Sequence, residues 1–119
     1  MKHQIFTFPI ASNALVSSDV YLGGEFTEFA LAVPNAASFC ITATGGINVQ
    51  SKLGSAYFTV GYPSSPTTST TGFVAWNAPY TSRGSMVICD ALKFCSTARL
   101  ICSNTATLAC DFYVVARSQ

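Results

Sequence analysis

The sequence predicts an all-β fold, an antiparallel β-sandwich of jelly-roll type with about eight strands. Two observations predict it. Short apolar runs recur along the chain between Gly, Pro, Asn and Ser turns, and several of these runs alternate apolar and polar residues with a period of two. A chain of 119 residues is long enough for one domain with its own core. We therefore predict a single β-sandwich domain over residues 1–119.

The last third of the chain is predicted to form the centre of the sheets. Its three apolar runs are Ser85–Cys89, Thr97–Ser103 and Leu108–Arg117. In the final run, one face of the strand consists of Cys110, Phe112, Val114 and Ala116. The opposite face consists of Asp111, Tyr113, Val115 and Arg117. This alternation is typical of a strand with one face towards a core.

The earlier strands follow from the same pattern. They are predicted at Gln4–Phe8, Asp19–Leu22, Glu25–Val33, Ser38–Thr44, Ala56–Gly61 and Gly72–Ala78. Pro9 is expected to end the first strand because it has no N–H to donate into a ladder. The segment Gly46–Ser55 is weakly patterned, and we expect a loop there with at most a short strand at Ile47–Val49. Asp90–Phe94 is the only helix-like piece, a single turn that Asp90 is expected to cap, with Leu92 and either Phe94 or Cys95 plugging the sheet.

Two loops are predicted to contact a partner. The stretch YPSSPTTSTT between Gly61 and Gly72 has no charge and few apolar groups, so it cannot order itself by burial. It is either a solvated hairpin tip or a contact arm in an assembly. The second loop is Asn77–Gly84. The candidate contact residues of the two loops are Tyr62, Pro63, Ser64, Ser65, Pro66, Thr67, Tyr80 and Arg83.

Composition favours assembly with other proteins. Only 9% of the residues are charged, against roughly 25% in an average soluble domain, so the exterior is largely neutral and weakly protected against association. Six Lys or Arg and five Asp or Glu are scattered singly and give a net charge of +1, which predicts no nucleic-acid partner. No apolar run approaches the roughly 20 residues of a membrane-spanning helix, so no membrane partner is expected.

The cysteines are expected to be reduced core residues. There are five, an odd number without Cys-x-x-Cys spacing: Cys40, Cys89, Cys95, Cys102 and Cys110. The only histidine is His3, so a Cys/His metal site lacks ligands. We expect at least three buried thiols, no metal and no cofactor.

No catalytic constellation is visible in the sequence. Glu25 and Glu28 are the only closely spaced carboxylates, and in a strand they would face opposite sides. No serine lies in a Gly-x-Ser-x-Gly elbow, so an enzyme is not expected. The alternative function is a carbohydrate- or receptor-binding module, with Tyr62, Trp76 and Tyr80 as stacking platforms. Against it, Trp76 lies in an apolar run and is expected in the core.

Three sequence steps carry a resemblance to a known family. The first is Ser18–Glu25, a polar start leading to an aliphatic-Gly-Gly step, and the second is Phe29–Pro34, an aliphatic-Pro end before an Ala-rich stretch. The third is Asp90–Phe94 followed by the Arg-containing run Ala98–Ser103, and the last strand ends in Val114–Arg117. Over residues 18–117 the chain resembles small β-sandwich virion proteins of tailed bacteriophages, of the capsid-associated or decoration type.

This resemblance implies a structural role. Such a protein would bind and stabilise a phage particle by surface packing, with capsid or other virion proteins as partners. It implies a homo-oligomer, with a trimer as first expectation, and no catalytic or cofactor residue. It also implies assembly in the host cytoplasm and a final location in the virion.

Overall fold

The computed structural model describes residues 2–35, 45–63, 72–103 and 109–118, and the statements below concern these residues. The strands are β1 (His3–Ile10), β2 (Val20–Tyr21), β3 (Glu28–Ala32), β4 (Gly46–Leu53), β5 (Ala56–Thr59), β6 (Gly61–Pro63), β7 (Phe73–Ala75), β8 (Ala78–Pro79), β9 (Met86–Ile88), β10 (Thr97–Cys102) and β11 (Cys110–Arg117). Two 3₁₀ helices cover Tyr80–Ser82 and Asp90–Phe94, and this part of the chain contains no α-helix. The predicted all-β class is confirmed.

The strands form two main antiparallel sheets. The four-stranded sheet has the order β1-β11-β3-β9, and the five-stranded sheet has the order β2-β10-β4-β5, with β8 added beside β4. Strands β6 and β7 form a separate hairpin. Both β10 and β11 lie between two neighbours, so two of the three runs in the last third of the chain supply a central strand to each sheet, as the sequence predicted. The third run, Ser85–Cys89, contains β9, which lies at the edge of the four-stranded sheet and corrects that part of the prediction.

The core lies between the two main sheets. From β11 it receives Phe112, Val114 and Ala116, and from β10 it receives Ala98, Leu100 and Cys102. These side chains alternate with outward ones, and both sets belong to one buried cluster. The predicted faces of β11 are therefore confirmed, and β10 shows the same alternation. Burying each large side chain of this kind contributes roughly 1.5–3 kcal/mol.

The first strand continues through Pro9, which corrects the prediction that Pro9 ends it. β1 is an edge strand that pairs only with β11. The Pro9 carbonyl accepts a hydrogen bond from the Ser18 N–H at 3.1 Å, on the side away from β11. The backbone groups of Pro9 face away from β11, so the N–H that proline lacks removes no hydrogen bond from the β1–β11 ladder.

The segment predicted as a loop after Gly46 is instead β4, an eight-residue strand between β10 and β5. Its inward residues are Ile47, Val49 and Ser51. Ser51 occupies a core position with a polar side chain, which weakens the apolar alternation from which a strand is predicted. Gly46 is needed where it is, because a Cβ there would lie 2.6 Å from the Ala78 carbonyl oxygen of β8.

The remaining predictions are met in part. The predicted strand Ser38–Thr44 lies outside the described residues, and Gly72–Ala78 contains β7 and the start of β8. The turn Asp90–Phe94 forms, and Leu92 and Cys95 are buried in the core. Asp90 does not cap the helix, since no side-chain cap bond exists there. The sequence left open whether Phe94 or Cys95 packs into the core beside Leu92. Phe94 is 79% exposed, so the core residue is Cys95.

Candidate interaction surface

The predicted contact residues do not form one loop surface. Tyr62 and Pro63 belong to β6 and pair with Val74 and Phe73, so they are strand residues at the base of a hairpin. Ser64, Ser65, Pro66 and Thr67 lie outside the described residues. Arg83 is exposed in the turn before β9.

Tyr80 is a core residue, which corrects its prediction as a partner contact. Only 2% of its surface is exposed. It begins the 3₁₀ helix Tyr80–Ser82, and its N–H donates to the Gly45 carbonyl at 3.0 Å. The ring is therefore directed into the domain rather than to a neighbour. Trp76 is buried as predicted.

The outer face of the four-stranded sheet is apolar at its centre. The strand register aligns its outward residues in two rows that cross all four strands. The first row consists of Ile5, Val115, Ala30 and Ile88, and the second of Thr7, Tyr113, Ala32 and Met86. We call these eight residues the apolar face. No charged residue interrupts it.

The apolar face is well exposed. Ile88 is 76% exposed, Ile5 64%, Met86 57% and Tyr113 47%. Burying such side chains is favourable at roughly 25 cal/mol per Å² of apolar area removed from water. The face is therefore a candidate surface for contact with another protein.

Charged groups lie at the two ends of the apolar face. At one end Arg117 donates from Nε and Nη2 to the two carboxylate oxygens of Glu28, at 3.1 and 3.0 Å. The Glu28 carboxylate raises the pKa of Arg117. At the other end Asp111 pairs with Pro9 across β11 and β1. An apolar centre with polar ends is the usual anatomy of a protein–protein interface.

The outer face of the five-stranded sheet is polar and internally satisfied. The Arg99 guanidinium lies 3.4 Å from the centre of the Tyr57 ring and donates to Gln50 Oε1 at 2.8 Å. The Tyr57 hydroxyl donates to Asp19, and Lys52 forms an ion pair with the same carboxylate at 3.1 Å. The Tyr57 hydrogen bond lowers the pKa of Asp19, and Lys52 adds to this effect. Because these charges satisfy one another, this face offers less to a partner than the apolar face.

A groove of about 450 Å³ opens beside the β6–β7 hairpin. It is lined by Val60, Gly61, Tyr62, Asp90, Ala91 and Phe94. The Tyr62 hydroxyl donates to Asp90 Oδ1 at 2.6 Å, and this hydrogen bond raises the pKa of Tyr62. The groove is mostly apolar, and among its lining residues only Tyr62 and Asp90 titrate.

The four described cysteines differ in burial. Cys89, Cys95 and Cys102 are buried, and Cys110 is half-buried, so the expectation of at least three buried cysteines is confirmed. Burial raises the pKa of Cys89 to about 12 and also raises that of Cys95. Within the described ranges no group of three or more His, Cys, Asp or Glu side chains is placed to hold a metal ion.

These thiols should react slowly in the native protein. We expect Cys89, Cys95 and Cys102 to label with an aromatic disulfide reagent at neutral pH at least tenfold more slowly than in denaturant, because the reactive thiolate is scarce and inaccessible. Absorbance of the released thiolate measures the rate, and peptide mass spectrometry assigns the sites. The half-buried Cys110 serves as the internal reference. Modification of all three within the time taken by Cys110 would contradict the core assignment.

The sequence prediction missed the apolar face. Its signal was present, because β3 and β11 carry apolar residues such as Ala30 and Val115 on their outward side as well as the inward side. Which of these residues become neighbours depends on the pairing of strands distant in sequence.

Among the described residues, no helix is long and apolar enough to cross a membrane. Comparisons with protein-family models, curated proteins and solved structures find no match to this chain.

Proposed function

We propose that this protein is a non-enzymatic structural protein of a virus particle, of the capsid-decorating kind that its sequence resembles. It acts by packing the apolar face against protein neighbours in the particle. The observation that carries the proposal is the pair of uncharged rows that cross all four strands of one sheet. An exposed apolar surface of this extent on a folded domain marks a site of protein contact.

The size of the face indicates how it would be used. Strands about 4.8 Å apart with roughly 3.4 Å per residue give the face, which is four strands wide and about four residues long, an area of roughly 260 Å². A stable pairwise interface takes about 800 Å² from each partner. The face alone therefore supports a weak contact, which becomes strong when many copies bind a repeating surface together.

The strand connectivity supports the same proposal. Successive strands β1 to β4 alternate between the two sheets, as do β9 to β11, and the first strand pairs with the last. We infer from this order that the fold is a jelly roll, in which two nested Greek keys close a double sheet. A jelly roll occurs in many viral capsid proteins, although a fold by itself does not assign a function.

The alternative, a carbohydrate- or receptor-binding module, has less support. Of its three expected stacking platforms, Trp76 and Tyr80 are core residues, and only Tyr62 is exposed. The Tyr62 hydroxyl is already engaged with Asp90. For an enzyme the support is weaker still, since Glu25 and Glu28 are each engaged by a different cation, Lys2 and Arg117.

A charge placed in the apolar face should abolish particle binding. We expect Ile5→Asp to lower the copy number per purified particle at least tenfold, because burying an unpaired carboxylate in an apolar contact is costly. The fold should be retained, since Ile5 points to solvent. The matched control is Thr97→Asp, which places the same charge on the outer face of the five-stranded sheet. Quantitative mass spectrometry of particles gives the copy number. Normal incorporation of the Ile5 variant would refute the assignment of this face.

A further inference from the structure

Strand β9 has a backbone edge that no other described strand covers. It is the outermost strand of the four-stranded sheet and, among the described strands, pairs only with β3. The Ser85 carbonyl accepts from the Val33 N–H, and the Cys89 N–H donates to the Phe29 carbonyl, both at 2.9 Å. In an antiparallel ladder the bonding side alternates with each residue, so the N–H and C=O groups of Met86 and Ile88 point away from β3. No described residue forms a backbone hydrogen bond with them.

Two of the other sheet edges are protected in ways that β9 is not. Pro9 removes a donor from the edge of β1, and β2 is only two residues long.

The charges at the two ends of β9 have no ion-pair partner within the part of the chain that the structure describes. The three ion pairs of the described residues involve Lys2, Lys52 and Arg117 with Glu25, Asp19 and Glu28. Arg83, just before β9, and Asp90, just after it, belong to none of them. Asp90 accepts a hydrogen bond through Oδ1 only, from Tyr62. The strand therefore has a free cation at its start and a free carboxylate oxygen at its end.

We propose that β9 pairs antiparallel with β9 of a second copy of this chain, around a two-fold axis at Val87, so that two four-stranded sheets join into one continuous sheet. In this register Met86 lies opposite Ile88 of the second copy. The turn that carries Arg83 then lies at the same end of the paired strands as the 3₁₀ helix of the second copy, which begins at Asp90. The unpaired cation of each copy is thereby placed near the unpaired carboxylate of the other, and we expect two ion pairs across the dimer.

The backbone geometry selects this register. Met86 of one copy and Ile88 of the other donate an N–H to each other's carbonyl oxygen. The two-fold axis repeats this pair of hydrogen bonds, so all the outward N–H and C=O groups of Met86 and Ile88 are satisfied in both copies. A shift of two residues one way would place Ile88 opposite Gly84, whose N–H already donates to the Val33 carbonyl at 2.9 Å. A shift the other way would place Met86 opposite Asp90, which lies in the 3₁₀ helix.

The side chains favour the same contact. Met86 and Ile88 are among the most exposed apolar residues of the apolar face. The two-fold axis brings Met86 of one copy beside Ile88 of the other. The joined sheet then presents two apolar faces as one surface of double width. The inference deepens the proposed assembly function and rests on it for its biological role. It gives a dimer, where the family resemblance implied a trimer.

The pairing is tested by removing one outward N–H. Met86→Pro deletes a donor that faces away from β3, so it costs the chain no internal ladder bond. Met86→Ala is the matched control, since it shortens the same side chain and keeps the N–H. The interface is small, so we expect a wild-type dimer with a dissociation constant on the order of 100 µM in sedimentation equilibrium. The proline variant should raise this constant at least tenfold and the alanine variant by no more than about threefold.

Charge reversal gives a second test that does not depend on proline. Arg83→Glu and Asp90→Arg should each weaken the dimer roughly tenfold, and the double variant should recover most of the wild-type affinity, because the ion pairs are restored with opposite polarity. Failure of the double variant to recover, or a wild type that stays monomeric at about 1 mM, would overturn the pairing.

These outcomes are separable from those of the proposed function. Ile5 lies on β1, at the opposite edge of the sheet from β9. Ile5→Asp should therefore leave the dissociation constant of the dimer unchanged while it abolishes particle binding. A dimer that survives in all variants of β9 refutes the pairing, whatever happens to particle binding.

Discussion

Phe112→Ala should lower the free energy of unfolding by about 3–5 kcal/mol, because it leaves a cavity at the centre of the core. Phe112 is fully buried in β11, which lies between β1 and β3. A typical domain has only about 5–15 kcal/mol of stability in total, so the variant should be close to unfolding at room temperature. Denaturant unfolding followed by the fluorescence of the single tryptophan, the buried Trp76, measures the loss.

The matched control is the neighbouring residue. Tyr113→Ala removes a side chain of similar size from the outward side of the same strand. It should cost less than about 1 kcal/mol, because the ring is half in solvent and leaves no cavity. If the two substitutions were equally costly, the assignment of the two faces of β11 would be wrong.

Ser17→Ala should lower the free energy of unfolding by about 1–3 kcal/mol through a single lost acceptor. Ser17 is buried, and its Oγ accepts from the Leu100 N–H at 2.9 Å while it donates to the Ser18 carbonyl at 3.0 Å. The Ser17 N–H also donates to the Leu100 carbonyl at 2.9 Å. Ser17 therefore satisfies both the N–H and the carbonyl of Leu100, as a paired residue on a neighbouring strand would. Alanine at this position would leave the buried Leu100 N–H without an acceptor.

Amide hydrogen exchange distinguishes this cause from a general loss of stability. The Leu100 amide should lose more protection in the Ser17 variant than the other amides of β10 lose. Ser18→Ala is the control, since its side chain is exposed, and it should change stability by less than about 0.5 kcal/mol. An unchanged exchange rate at Leu100 would show that another group satisfies this N–H.

The strands that the sequence predicted well are those whose local pattern matches their environment. In β10 and β11 every inward position is apolar or small, as with Leu100 and Phe112, so a period of two is visible. β4 was missed because Ser51 faces the core and interrupts the apolar side of the alternation. Pro9 was judged by its missing donor alone, whereas its effect depends on which side of the strand has a neighbour.

The candidate surface was less predictable than the fold. The apolar face requires Ile5, Ala30 and Ile88 to align, and these residues are brought together only by pairing between distant strands. Sequence composition predicted that some exterior surface would favour association, and it could not say which one. Tyr80 was assigned to an exposed loop because it lies among polar residues and Pro79, while its burial depends on contacts around Gly45.

The central position of β11 also governs when the domain can fold during synthesis. Ile10 pairs with Cys110, so β1 leaves the ribosome about 100 residues before its only ladder partner. At roughly 5–20 residues per second this leaves Phe6 and Phe8 without their sheet for about 5–20 s. The four-stranded sheet must therefore form late, after β11 has left the ribosome. During that interval the apolar side chains of the nascent β1 are exposed. They would bind a chaperone, or they would promote aggregation between neighbouring nascent chains on one polysome.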